Sequence, residues 1–387
     1  MHEKSSHIAI YLHCLFNGGI EQMMQNLTRK FIERGLKVDL VLNFPGAVEL
    51  WDFPPEVRIV DLDARRVAAR LPNLIRYLRQ EQPVALLSAN HYANEVALCA
   101  KRLSGVSTRV VVSERTMISV EAKHAPPYKM RYWAPLAAKL FYPMADGIVA
   151  VSKGVAEDLT TITGLPAERI QTIYNPVITP ALLTRAKEPV DHPWFAPGEL
   201  PVILGVGRLE EQKDFFTLIR AFAKVRQVKP ARLMILGQGS QRSRLQELVR
   251  ELNLENDVAM PGFVKNPYAY MAKASVFALS SAWEGFGNVV VEALAVNTPV
   301  VSTNCQSGPA EILDHGKYGE LVPVGDSEAM AAAIVKVLSG QSKSAGSDWL
   351  NQFTFENAAR KYLDLMGVTA NPEGVTLEEK KSETVTG

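Results

Sequence analysis

Short apolar runs alternate with longer stretches whose apolar positions recur every three or four residues, from one end of the chain to the other. His7-Ile-Ala-Ile-Tyr-Leu12 reads as a strand. After a Gly18-Gly19 turn, Ile20, Met23, Met24, Leu27 and Phe31 share one helical face, and Gly35 ends that helix. Val38-Asp-Leu-Val-Leu42, Val84-Ala-Leu-Leu87, Arg109-Val-Val-Val112 and Gly147-Ile-Val-Ala-Val151 are further strands. The proline-rich stretch from Ile173-Tyr-Asn-Pro-Val177 to Pro201 interrupts the rhythm, which then restarts. Strands are expected at Val202-Ile-Leu-Gly-Val206, Arg232-Leu-Met-Ile-Leu236, Val258-Ala-Met260, Ser275-Val-Phe-Ala-Leu279 and Pro299-Val-Val-Ser302. Helices are expected over 215–227, 240–252, 327–338 and 355–366.

Strand–helix alternation of this kind predicts α/β architecture with parallel sheets. With 387 residues, the chain exceeds what one core organises. Two doubly wound, Rossmann-like domains are expected, over residues 1–175 and 176–367, with the last helix packing back on the first domain. Residues 368–387 turn polar, with Glu378-Glu-Lys-Lys381, and read as a disordered tail. Ligands of such sheets bind beyond the carboxyl ends of the strands, so chemistry belongs in the loops that follow them.

Composition narrows the class. Hydrophobic content of 47% and charged content of 21% suit a soluble globular protein, and no apolar run is long enough to span a bilayer. Three scattered cysteines, Cys14, Cys99 and Cys305, have no metal-ligand spacing and suggest a reducing compartment, hence a cytoplasmic protein. The net charge of +1 hides a basic region: residues 58–139 carry 14 Lys and Arg against 6 Asp and Glu. Within 123–142, basic groups interleave with aromatics in Lys123-His-Ala-Pro-Pro-Tyr-Lys-Met-Arg-Tyr-Trp133 and Lys139-Leu-Phe-Tyr142. That mixture suits an anionic membrane surface, where each basic group contributes about 1 kcal/mol, and suits a solvated basic helix face equally well. Overall neutrality and the lack of any nucleic-acid motif argue against nucleic acid.

Two segments carry candidate chemistry. In Ser281-Ala-Trp-Glu-Gly-Phe-Gly-Asn-Val-Val-Val-Glu292, one glutamate precedes a turn and another lies inside the following helix. Glu284 and Glu292 can hold two ends of one ligand, with the helix start between them facing an anion. In Gly207-Arg-Leu-Glu-Glu-Gln-Lys-Asp214, Arg208 and Lys213 offer a donor fork and a point charge suited to a diphosphate, and Asp214 is placed to cap the next helix. Asp61-Leu-Asp63 has the form of a metal-binding pair but precedes an Arg-rich helix, and Gly237-Gln-Gly239 lacks the third glycine of a dinucleotide fingerprint. Neither is taken as a site.

The order of Gly207-Arg-Leu-x-x-Gln-Lys213, Gly262-Phe-Val264, Glu284-Gly-Phe-Gly-Asn-x-x-x-Glu292 and Ser307-Gly-Pro-Ala-Glu-Ile-Leu313 closely resembles the family-4 retaining glycosyltransferases. The resemblance implies the GT-B fold, with two Rossmann-like domains facing a central cleft. It implies a nucleotide-diphospho-sugar donor held mainly by the C-terminal domain and an acceptor held mainly by the N-terminal one. By that resemblance, Arg208 and Lys213 contact donor phosphates, Gly262, Phe263 and Val264 face the base, Glu284 meets the sugar and Glu292 the ribose. Backbone amides at Gly287, Asn288 and Val289 complete the phosphate cradle, Gly285 and Phe286 count with them as donor-binding, and Gly18 and Gly19 match the glycine-rich loop after the first strand. Many relatives carry a histidine where this chain has Glu114 in Val110-Val-Val-Ser-Glu-Arg-Thr116; Glu114 is therefore a candidate catalytic or hydroxyl-binding group. Arg115 and His91 are candidate acceptor contacts. The function implied is transfer from a UDP-sugar to a glycan or lipid-linked acceptor in cell-surface polysaccharide, lipopolysaccharide or glycolipid synthesis, with no cofactor or metal. A GDP-sugar donor with a soluble acceptor, and a nucleotide-sugar epimerase or a phosphorylase of the same fold, remain alternatives.

Overall fold

The computed structural model describes residues 7–15, 19–46 and 53–369. Seven strands form the first sheet: β1 (His7–Leu12), β2 (Lys37–Leu42), β3 (Arg58–Asp61), β4 (Ala85–Ala89), β5 (Arg109–Glu114), β6 (Gly147–Ala150) and β7 (Ile170–Thr172). Their order is β3-β2-β1-β4-β5-β6-β7. Six form the second: β8 (Val202–Val206), β9 (Arg232–Leu236), β10 (Val258–Gly262), β11 (Val276–Leu279), β12 (Val300–Thr303) and β13 (Glu320–Val322). Their order is β10-β9-β8-β11-β12-β13, with parallel pairing throughout. The parallel α/β class expected from the alternation is the one observed. Central strands such as β4 are buried along their whole length, because helices cover both faces, and this is why they read as unbroken apolar runs.

Two compact units emerge. One comprises the described residues up to Ser113, with 144–147 and 359–369; the other comprises 114–143 and 148–358. In the first unit, the end of the helix Phe355–Met366 is tied down by the sheet: Ser113 Oγ and Tyr362 OH share a hydrogen bond of 3.2 Å, and Arg109 Nε donates to the Leu365 carbonyl at 2.8 Å. Near the amino ends of β1 to β3, Asp39 is fully buried and accepts from Tyr77 OH at 2.7 Å and from the Arg58 guanidinium, with His7 Nε2 2.9 Å away. Burial alone would raise its pKa; these three neighbours overcome this and hold it well below the ordinary carboxylate range.

In the second unit, the helix Phe215–Val228 packs beside Ser327–Leu338, and Leu218, Phe222, Met330 and Ile334 belong to one core with β8, β9 and β11. Asp214 caps the first of these helices at φ +41°, accepting from the Thr217 N–H at 3.3 Å and from its hydroxyl at 2.6 Å. Three short strands, β3, β7 and β13, were not anticipated. Each ends its sheet's order or carries exposed polar positions, so none offers an apolar run.

Candidate active site

In the second sheet the strand order reverses between β8 and β11. That switch is where the loops after two neighbouring strands diverge and leave room for a ligand. Here they are the segments carrying Arg208, Lys213 and Glu284. The Lys213 ammonium forms an ion pair with Glu284 Oε1, which also accepts from Ser281 Oγ at 2.7 Å. Gly207 lies against the lysine stem; a Cβ there would stand 3.2 Å from Lys213 Cε. The two loops are laced together by Ser280 Oγ to the Lys213 carbonyl (2.7 Å), Ala282 N–H to the Gln212 carbonyl (2.8 Å) and Gln212 Nε2 to the Trp283 carbonyl (3.0 Å). Glu284 is consequently only 6% exposed. Arg208 is exposed, and its guanidinium makes no hydrogen bond or ion pair among the described residues.

Gly287, at φ +96°, turns the chain into the helix Asn288–Ala295, whose start has no side-chain cap. Glu292 is its fifth residue. It keeps partial solvent access and makes no hydrogen bond among the described residues. Burial pushes its carboxyl up to about 7, opposed by the charge of Lys213. Tyr268 is raised to about 12, mainly by burial, with the charge of Glu292 adding to the effect. At β10, Gly262 sits at φ +95° and Phe263 projects with 60% exposure, while Val264 is half-buried.

The Gly237 and Gly239 pair serves sterics. Side chains there would overlap the carbonyls of Gly207 and Leu209, so both glycines let the loops after β8 and β9 touch.

The 284–287 turn is held from below. Ser152 Oγ donates to the Gly285 carbonyl at 2.7 Å and Ser307 Oγ does so at 2.9 Å. A Cβ on Gly285 would overlap the Arg115 carbonyl oxygen. Phe286 is 2% exposed, stacked on Tyr174 and tilted against Phe353, with ring centroids 5.6 and 5.9 Å away. Asn288 Oδ1 accepts from Asn175 Nδ2 at 2.9 Å, and Asn175 Oδ1 accepts from Arg115 Nη1 at 2.5 Å.

With this geometry in place, likeness to known proteins becomes informative. The family model described as Glycosyltransferase Family 4 matches residues 17–179, and the one described as Glycosyl transferases group 1 matches 187–347. An N-acetylgalactosamine-N,N'-diacetylbacillosaminyl-diphospho-undecaprenol 4-alpha-N-acetylgalactosaminyltransferase of Campylobacter jejuni is 31% identical, over 86% of this chain and 90% of its own length. The chain belongs to the family-4, group 1 glycosyltransferases. The lipopolysaccharide core biosynthesis glycosyltransferase LpsE of Rhizobium meliloti is 28% identical to the transferase, over 79% of this chain and 96% of its own. The solved structure of Anabaena HepE in complex with UDP and glucose shares the fold with a TM-score of 0.73 at 20% identity, covering 94% of this chain and 99% of that one.

Elsewhere in the transferase, the predicted residues are dispersed in environment. Glu114 is 1% exposed: Oε1 accepts from the Arg115 N–H at 2.9 Å and the Thr116 N–H at 3.3 Å, and Oε2 from Tyr142 OH at 2.7 Å. Burial raises its pKa. Its carboxyl is thus shared between its own loop and Tyr142. Arg115 is buried, joined through Asn175 to the start of the 288–295 helix. His91 begins the helix His91–Ser104 in the first unit, is buried, and lies 4.0 Å from the Tyr92 ring. Gly18 lies outside the described residues, and Gly19 opens the helix Gly19–Glu33. Sequence reasoning missed Ser152, Asn175 and Ser281. Each is a small polar residue whose partner is over a hundred positions away or hidden in the turn, so no local pattern marks it. Among the described residues no helix is long and apolar enough to cross a membrane.

Proposed function

We propose that the transferase moves a sugar from a UDP-sugar, with retention, to a lipid-linked or lipopolysaccharide-type glycan. The observation that carries this reading is the Lys213–Glu284 pair beside the start of the 288–295 helix, with Glu292 one turn further in. A donor diphosphate competes for the lysine. When Lys213 turns to phosphate, Glu284 is released to accept sugar hydroxyls, while Arg208 closes on the second phosphate and peptide N–H groups at 288 and 289 supply further donors. Glu292 accepts from the ribose. As the sugar–phosphate bond breaks, the two cations stabilise charge growing on the departing nucleotide, and the reading calls for no metal. The acceptor hydroxyl adds from the face the phosphate leaves, and its proton passes to that phosphate. This requires no nucleophile from the protein.

The Glu114 carboxyl, held between Tyr142 and the Arg115 and Thr116 N–H groups, fits a positioning role for Arg115. The UDP assignment is supported by the fold shared with a UDP complex, and the acceptor class by relatives named for a diphospho-undecaprenol substrate and for lipopolysaccharide core synthesis. Peripheral membrane attachment is supported by the helix Met130–Phe141, where Met130, Trp133, Leu136 and Leu140 are exposed beside Lys129, Arg131 and Lys139.

The test is nucleotide release from a panel of UDP-, GDP- and ADP-sugars, with and without lipid-linked and soluble acceptors. Acceptor-stimulated release from a UDP-sugar is expected, and Arg208→Ala or Lys213→Ala should lower it by ~100-fold or more. Interconversion of donor sugars without acceptor would instead establish an epimerase. Failure to co-sediment with anionic vesicles at low salt would remove the membrane assignment.

A further inference from the structure

The run Ser307-Gly-Pro-Ala-Glu-Ile-Leu313 supplies none of the groups proposed to touch the donor, yet it packs against the turn that carries them. Besides the bond from Ser307 Oγ to the Gly285 carbonyl, Gly308 at φ +88° lies directly on the next peptide. A Cβ on Gly308 would stand 1.8 Å from the Phe286 carbonyl oxygen, so backbone meets backbone there.

Three residues on, Glu311 reaches the start of the helix Lys153–Thr163. Its Oε2 accepts from the Lys153 N–H at 2.7 Å and its Oε1 from the Gly154 N–H at 3.1 Å. Ser152 Oγ accepts from the Val155 N–H at 3.1 Å, so the first three N–H groups of that helix are satisfied. A carboxylate is favoured at this end of the helix dipole. Ser152 also donates to the Gly285 carbonyl, so Glu311 fixes the helix start on which that bond depends. Gly154 permits the close approach: a Cβ on it would stand 2.8 Å from Ser307 Cβ.

The same carboxylate takes a hydrogen bond from Tyr174. Burial first, and then the charge of Glu311 and that bond, raise the pKa of Tyr174, so its hydroxyl keeps the proton it donates. The Tyr174 ring lies on Phe286 at 5.6 Å with an interplanar angle of 24°. Its chain neighbour Asn175 donates to Asn288 Oδ1 at 2.9 Å. Glu311 thus reaches Gly285 through Ser152, Phe286 through the Tyr174 ring and Asn288 through Asn175. Both its oxygens are committed to these partners, so it acts through them and not on a ligand. Capping alone does not account for it, because the helices 67–81 and 288–295 begin with no side-chain cap. Water can serve such N–H groups where the site is half-open, as at Glu311, so what the carboxylate adds is a fixed position.

We propose that Glu311 is a positioning residue of the donor site, holding the 285–289 turn where its peptide N–H groups meet a diphosphate. The proposal rests on the transferase reading above and gives a role to a residue that touches neither donor nor acceptor.

Calorimetric titrations of the full chain with UDP and with uridine separate positioning from general stability. In the transferase reading UDP needs the turn, whereas uridine meets only Glu292 and the 262–264 segment. Glu311→Gln keeps one accepting oxygen and should bind UDP roughly tenfold more weakly, with uridine affinity changed by less than about twofold. Tyr174→Phe keeps the ring on Phe286, loses only the hydroxyl, and leaves the helix start alone. It should weaken UDP by about threefold and again spare uridine. Unchanged UDP binding in Glu311→Gln or, should that variant not fold, in Tyr174→Phe overturns the positioning role. Equal weakening of UDP and uridine overturns it too, and makes Glu311 a fold-stabilising group. A parent that binds GDP or ADP in place of UDP overturns the UDP assignment alone, and that nucleotide and its nucleoside then carry the same comparison. A parent that binds no nucleoside diphosphate overturns the transferase reading itself.

Discussion

Replacing Lys213 by alanine separates the two roles of one ion pair. In the ligand-free transferase Lys213 and Glu284 neutralise each other, with side-chain exposures of 14% and 7%. Lys213→Ala leaves Glu284 charged, nearly buried, and held only by Ser281 Oγ. Stranding one member of a buried pair costs roughly 3–5 kcal/mol, and residual access to water at both groups favours the lower end, about 3 kcal/mol. At roughly 2–4 °C per kcal/mol for a body of this size, Tm should fall by about 6–12 °C in differential scanning calorimetry. Glu284→Gln added to Lys213→Ala removes the stranded charge and keeps an oxygen for Ser281, so most of the lost stability should return. Turnover should not, because neither the phosphate cation nor the sugar-binding carboxylate is restored. A Lys213→Ala protein melting within about 2 °C of the parent, or a double variant no more stable than the single one, would falsify the pairing and with it the competition between donor and glutamate.

Nucleotide affinity should depend on pH through Glu292. Only the ionised carboxyl accepts from both ribose hydroxyls, so Kd should fall as pH rises through about 7, with proton release on binding near that pH, and Glu292→Gln should flatten the profile. In the free protein the sign is opposite: a carboxyl raised from 4.5 to about 7 gives stability that is full below 4.5 and is lost as pH rises through about 7, measurable as a Tm difference from Glu292→Gln. Asn175→Ala should lower kcat by about tenfold with a Tm loss of a few degrees, as expected for ~1–2 kcal/mol from two broken hydrogen bonds. Asn175→Asp, which keeps an acceptor for Arg115 and loses the donor to Asn288, should retain the stability and not the rate; equal behaviour of both variants would refute the relay. Gly285→Ala forces a methyl group into the Arg115 carbonyl and should give little soluble, active protein, whereas Gly346→Ala, with open space around it, should express and melt as the parent does.

The sequence made the α/β class legible because buried parallel strands must be apolar on both faces, as β1 and β4 are. The same logic hid β3, β7 and β13, whose pairing is supplied by a neighbour and not by their own side chains. At the candidate site, Lys213 and Glu284 stand out in the sequence as charged residues on loops after strands, and Glu292 as an acid in the helix that follows. Their mutual pairing does not, since Lys213 and Glu284 are 71 positions apart. Gly237 and Gly239 show the converse: they look like a nucleotide fingerprint and are explained by the carbonyls of Gly207 and Leu209.

Phe286 sits between two residues with chemical duties, Glu284 and Asn288, yet its ring is sunk among Tyr174 and Phe353. The aromatic nest therefore anchors both at once: the backbone carrying a carboxylate on one side and a helix tip on the other is pinned through one ring. Substitutions deep in that oily cluster should therefore alter preference among donors without touching any of the polar groups proposed to hold them.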